Sequence, residues 1–165
     1  MTPPSNPAVA HGTFTVERRY GASPARVFLA YSDPVAFRRW FVEAPGATVY
    51  EWAHDFRVGG QGGGRYRFGG EERDVGFNDT LFLDIIENRR IILSYVMGSE
   101  IGDERRRISA SLATIELAPD SGGTRLIYTE QGAYFGEDGA AHIPLREGGC
   151  AAMFENLARE LEAHG

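Results

Sequence analysis

Hydrophobic and polar positions along this chain change period several times, and the changes divide it into elements. Phe14, Val16 and Tyr20 alternate with Thr15, Glu17 and Arg19, a period of two that predicts a first strand. Ser23-Pro24 then reads as a helix start. Serine caps unpaired backbone N–H groups, and proline loses nothing at the first helical position. A short helix is predicted over Ala25 to Tyr31. Asp33-Pro34 repeats the signal and opens a second short helix through Val35, Phe37 and Trp40.

From Thr48 the period returns to two. Tyr50, Trp52, His54, Phe56 and Val58 share one face, with Glu51, Asp55 and Arg57 on the other. The run Gly59 to Gly64, broken only by Gln61, reads as a turn, after which Tyr66 and Phe68 alternate with Arg65 and Arg67. A polar loop, a strand over Thr80 to Ile86, a turn at Asn88 and a strand over Ile91 to Met97 follow. Arg107 to Ala118 and Thr124 to Phe135 form a hairpin around Asp120-Ser121-Gly122-Gly123. The C-terminus turns helical: Cys150, Met153, Phe154, Leu157 and Leu161 fall on one apolar stripe. Glu155 and Arg159 lie outside it, spaced for a surface ion pair. No internal repeat appears. The order is strand, two short helices, a run of strands and one long helix. Such a sheet must bury its apolar face, and the last helix is the only large partner available.

Composition narrows this picture. The 165 residues suffice for one domain with a real core, read here as residues 13–165 behind a flexible tail, 1–12, that holds Pro3, Pro4 and Pro7. The tail lacks the basic start and apolar run of a signal peptide, and no stretch approaches the ~18 apolar residues of a membrane span, so membrane insertion is not expected. A single cysteine, Cys150, allows no intrachain disulfide and fits a cytoplasmic setting. The net charge of −6 argues against nucleic acid and anionic membranes as main partners. Arg105, Arg106 and Arg107 follow Asp103 and Glu104, so the one basic run is largely offset, as at a solvated hairpin end. Whether the chain forms a homodimer is left open.

Several stretches together resemble the SRPBCC, or START-like, superfamily, in the branch of bacterial homologues of the activator of the ninety-kilodalton heat-shock ATPase. They are Glu17-Arg18-Arg19-Tyr20 with Ser23-Pro24-Ala25-Arg26-Val27-Phe28, then Trp40-Phe41, then Asp55-Phe56-Arg57-Val58-Gly59-Gly60. Asp84-Ile85-Ile86 with Arg90-Ile91-Ile92 follows, and last Gly123-Thr124-Arg125-Leu126 running into Thr129-Glu130-Gln131-Gly132-Ala133. No single stretch is specific; the order and spacing carry the match, which covers nearly the whole chain after Gly12. The resemblance implies an α+β helix-grip fold: a curved antiparallel sheet wrapped around a long C-terminal helix, with two short helices after the first strand. It also implies a deep cavity between sheet and helix, in which relatives bind lipids, polyketides, plant hormones or aromatic compounds, and a few act as cyclases or dehydratases. One departure stands out. Where this branch often has a glycine followed by tryptophan, or another glycine pairing, this chain has Gly148-Gly149-Cys150, whose smaller side chain should enlarge one end of the cavity.

Fold does not fix function, so candidate residues are weighed singly. His54 shares parity with Tyr50, Trp52 and Phe56; facing a cavity it could act as acid or base, and otherwise it is a structural histidine bonded to a neighbouring strand. Glu130 and Gln131 lie on opposite faces of the last strand, so one of them points inward, to orient a polar ligand group or to be satisfied by neighbours. Tyr50, Trp52, Tyr66, Phe68, Tyr95 and Met97 could line an aromatic pocket or fill a core, as could Phe154. Trp40 and Phe41 should help close one end of the cavity, and Cys150 should face it near its open end. The glycine run lacks a following Gly-Lys-Ser/Thr and precedes a strand, so it is no phosphate loop. His11, His54, His142 and His164 are scattered and no cysteine pair exists, so neither a metal nor another cofactor is implied. A Cys150–His54 couple is conceivable, though a small buried thiol is the common outcome. Three functions follow: binding of a small apolar or aromatic molecule; a cyclase- or hydrolase-type enzyme using His54 or Glu130; and a co-chaperone for the heat-shock ATPase. The third is weakened because the longer eukaryotic protein's N-terminal domain has no counterpart in this sequence.

Overall fold

A computed structural model describes residues 7–43, 46–68 and 75–165, without the Phe68 side chain. In chain order the elements are β1 (Val9–Tyr20), α1 (Pro24–Ser32), α2 (Pro34–Phe37), β2 (Ala47–His54), β3 (Gln61–Phe68), β4 (Val75–Ile86), β5 (Arg90–Ile101), β6 (Glu104–Asp120), β7 (Gly123–Phe135) and α3 (Gly139–Ala163). A π-helical turn, Arg38–Val42, extends α2. The strands form one seven-stranded antiparallel sheet in the order β1-β7-β6-β5-β4-β3-β2. The consecutive strands β1 and β2 are therefore opposite edges, and α1, α2 and the π turn carry the chain from one to the other. With α3 across the concave face, this is the helix-grip architecture that the element order predicts.

The local signals work as chemistry requires. Ser23 Oγ accepts the Arg26 N–H at 3.2 Å, and Asp33 Oδ1 accepts those of Val35 and Ala36 at 2.8 and 3.4 Å. Other boundaries need correction. β1 starts at Val9, inside the segment read as a tail, because Val9 to Gly12 pair in register with Gly132 to Phe135 of β7. Gly12, read as the end of that tail, is a packing residue, since a Cβ there would sit 2.8 Å from the Ile143 side chain of α3. The glycine-rich turn is also misplaced. The chain reverses over 55–60, and Gly62, Gly63 and Gly64 are strand residues of β3. Gly63 has φ +118, and a Cβ there would lie 2.0 Å from the Asn78 carbonyl oxygen, so only glycine lets β3 approach β4. The Glu155–Arg159 pair does not form either: Glu155 takes Arg18 Nε of β1 at 3.3 Å, and Arg159 bonds Asn156.

Geometry makes a cavity almost unavoidable. Seven strands at about 4.8 Å spacing span about 29 Å, whereas one helix covers about 10 Å. The interior helix α3 leans toward one edge, packing on β1, β7, α1 and the π turn. Phe14, Val16, Leu126, Phe154, Leu157 and Leu161 close that side as a solid core. Of the described helices, α1 reaches β6, and none packs broadly on β3 to β5. Among the described residues no helix is long and apolar enough to cross a membrane.

Candidate functional site

The uncovered part of the concave face is a cavity of about 560 Å³, bounded by β2–β7, the α1–π segment and α3. Its size is that of ordinary small-molecule sites. One end is aromatic. Phe37 stacks on Phe41 at 4.7 Å, on His54 at 4.4 Å and on Trp52 at 5.6 Å between ring centroids. Phe56 and Phe82 continue the wall, 5.2 Å apart edge to face. Trp40 seals the back of this end, 2% exposed, with its indole N–H donated to the Ala30 carbonyl at 2.8 Å.

His54 belongs to this wall. Its Nε2 stands 2.8 Å from the Tyr31 carbonyl oxygen of α1. A carbonyl only accepts, so Nε2 carries the proton. The partner is a helix carbonyl, not a neighbouring strand, and no carboxylate is bonded to the ring. Burial lowers the His54 pKa below its ordinary 6.5, against smaller opposing effects of the Tyr31 carbonyl, Asp33 and Asp55. The folded state thus disfavours protonation that the unfolded chain accepts. Stability from this source is fully present above about pH 6.5 and is lost as pH falls from there toward the folded pKa. We expect the urea midpoint to drop more steeply between pH 7.5 and 5.5 in the parent than in His54→Gln. Equal slopes would contradict the assignment.

The other end is polar. The register sets Tyr95 of β5 opposite Ser111 of β6, with Glu130 of β7 beside them opposite Ala113. Glu130 is fully buried, at 0% exposure, yet accepts from both neighbours and more. Tyr95 Oη donates at 2.9 Å, Ser111 Oγ at 2.8 Å and Tyr128 Oη at 2.6 Å. Arg146 of α3 supplies the counter-charge: its Nη1 lies 3.1 Å from Glu130 Oε1 and 2.6 Å from Tyr95 Oη, and its Nη2 lies 2.8 Å from Ser109 Oγ. Burial opposes the Arg146 charge, but Tyr95 and Glu130 outweigh it and raise its pKa. Between the two ends Tyr66 Oη donates to Asn78 Oδ1 at 3.1 Å, and burial pushes the Tyr66 pKa up to about 12.

The structure sorts the sequence candidates. Trp40, Phe41, Trp52, His54, Tyr66, Tyr95, Met97 and Cys150 do line the cavity. Tyr50 does not. A β-bulge between Val49 and Glu51 reverses the parity of β2, so Tyr50 turns outward, 48% exposed. Phe154 lies in the solid core under β7, and Glu130 stands behind Tyr95, Tyr128 and Arg146 as a support for the wall. The Phe68 side chain is outside the described residues. Tyr31, Phe37, Asn78, Phe82 and Arg146 were missed, and of these Arg146 had a readable signal: it sits one turn before Cys150 on the apolar stripe of α3. Ser109, Ser111 and Glu130 likewise interrupt the inward rows of β6 and β7.

Cys150 and His54 form no couple. The thiol lies 3.7 Å from Glu130 Oε2 and 3.9 Å from Tyr128 Oη. Burial and the Glu130 charge push its pKa up to about 12, which leaves almost no thiolate at neutral pH. Alkylation by a bulky maleimide is expected to be slow in the native protein and fast in urea. Rapid native modification would overturn this.

A second depression of about 430 Å³ lies on the outer face of the sheet, floored by His11, Gly12, Gln131 and Gly132. It is open and offers mainly small side chains and backbone, so it is a poor counterpart to the inner cavity. Among the described residues no group of three or more His, Cys, Asp or Glu side chains could hold a metal ion.

Residues 21–162 match the family model described as Activator of Hsp90 ATPase homolog 1-like protein. The Mll3558 protein from Rhizobium loti is 44% identical over 93% of this chain and 99% of its own, with a TM-score of 0.80. An uncharacterized protein from Rhizobium leguminosarum is 32% identical over 97% of this chain and 100% of its own, with a TM-score of 0.85. Protein CV1439 from Chromobacterium violaceum is 25% identical over 92% of this chain and 96% of its own, with a TM-score of 0.63. No curated protein matches the chain.

Proposed function

The chain belongs to the Activator of Hsp90 ATPase homolog 1-like protein family, and we propose that it binds a small apolar or aromatic molecule between sheet and helix. The observation that carries this is a stacked aromatic wall facing a cavity of about 560 Å³. Water finds few partners at the aromatic end, so an apolar ligand gains by displacing it. General acid–base catalysis is less well supported. His54 is bonded to a helix carbonyl, and Glu130 is walled off from the cavity. The co-chaperone reading rests on the family description alone. A cytoplasmic setting, in which Cys150 stays a thiol, belongs to this proposal.

A substitution that fills the cavity tests it. Gly149 lines the cavity, and a Cβ added there meets nothing within 4 Å. Gly149→Leu should keep the helix, because glycine is a poor helix former. With the neutral fluorophore N-phenyl-1-naphthylamine, the parent should show saturable one-to-one binding, weakened more than about tenfold in Gly149→Leu. Affinity unchanged by the leucine, in a variant with the parent's circular dichroism, would sink the proposal.

A further inference from the structure

Resting on the binding proposal above, we infer that the cavity selects ligands bearing a neutral hydrogen-bond acceptor, such as a ring carbonyl, which docks on the guanidinium of Arg146. A guanidinium has five N–H donors. Three are committed, to Tyr95, Glu130 and Ser109. The Nε–H and one Nη2–H have no partner among the described residues, on a side chain that lines the cavity. The ion pair with Glu130 accounts for a cation at this place on α3, but it uses only part of the guanidinium's donor capacity.

Charge decides what kind of acceptor fits. Arg146 and Glu130 cancel each other at 3.1 Å, so the polar end is close to neutral as a whole. An anionic ligand would meet little net attraction there and would give up its hydration in an apolar chamber. A neutral carbonyl carries a smaller desolvation cost and can still take a charge-assisted hydrogen bond from the guanidinium. Tyr95 and Glu130 add precision, because they hold the guanidinium in one orientation. The aromatic wall at the opposite end favours a flat ring system. The ligand class is thus an uncharged aromatic ketone, quinone or lactam.

Three probes of one shape test this: 9-fluorenone with a neutral carbonyl, fluorene without an acceptor, and fluorene-9-carboxylate with a charge. The parent should bind fluorenone about tenfold more tightly than either of the others, the factor expected of one charge-assisted hydrogen bond. Arg146→Lys keeps the positive charge beside Glu130, but its three N–H donors are taken up by Tyr95, Glu130 and Ser109, so the ratio of fluorenone to fluorene affinity measured within that variant should fall toward one. If the lysine variant does not fold, the charge-free pair Arg146→Met with Glu130→Gln should remove the preference equally. Equal affinity for fluorene and fluorenone in the parent would overturn the inference and leave the binding proposal standing. Tightest binding of the carboxylate would overturn it in favour of an anion site. Failure of all three to bind would overturn the cavity proposal and this inference together.

Discussion

Leu157→Ala is expected to lower stability by about 2–5 kcal/mol, from lost transfer energy together with the void left behind. Leu157 is 0% exposed at the middle of the α3 stripe, in one cluster with Phe14, Val16, Leu126 and Phe154. Those partners sit on paired strands and on the helix itself, so they can collapse into the gap only slightly. At urea slopes of about 1–3 kcal/mol per M, the midpoint should fall by on the order of 1–2 M with the slope unchanged. Met153→Ala is the informative comparison. Met153 lies on the same stripe but borders the cavity, where part of its surface already faces open space, so its truncation should cost less. An unchanged midpoint for Leu157→Ala would mean that α3 does not hold the sheet in the way its burial implies.

That contrast between adjacent stripe positions marks how much was legible in the chain. Periodicity found the helix, the β6–β7 hairpin and both capped short helices, because each is specified by residues within a few positions of one another. It also put Trp52 and His54 on one face of their strand and offered Tyr95 as a pocket or core residue. It failed where an element's face depends on a break in period. One bulged residue between Val49 and Glu51 sent Tyr50 to the outside, and nothing near it in sequence announces the bulge. It failed again where a side chain's partners come from distant strands. Arg146 reads as a lone cation until the register of β5, β6 and β7 gathers Tyr95, Ser109 and Glu130 around it. The division of the stripe into a packed half and a cavity-lining half depends on how far α3 leans across the sheet. No local pattern carries that information.

The same gathering makes Arg146 the most consequential polar residue in the fold. Arg146→Met is expected to cost about 3–5 kcal/mol, the usual result of leaving a buried partner charge unpaired. Glu130 would keep its hydroxyl donors Tyr95, Ser111 and Tyr128 but lose its cation. The methionine packs well enough that lost volume is a minor part of the loss. The double variant Arg146→Met with Glu130→Gln removes both charges; the amide oxygen accepts from up to two of the three hydroxyls, and its NH2 donates to the oxygen of the third. Its stability should return to within about 1.5 kcal/mol of the parent, since a buried pair exchanged for neutral groups is often close to balanced. A double-mutant cycle by urea unfolding measures the difference as a coupling energy. A loss below about 1 kcal/mol for the single variant would point to a different physical situation. Cavity water would then be reaching Glu130 through the space that Arg146 vacates, and the polar end would be held by hydration in place of the ion pair.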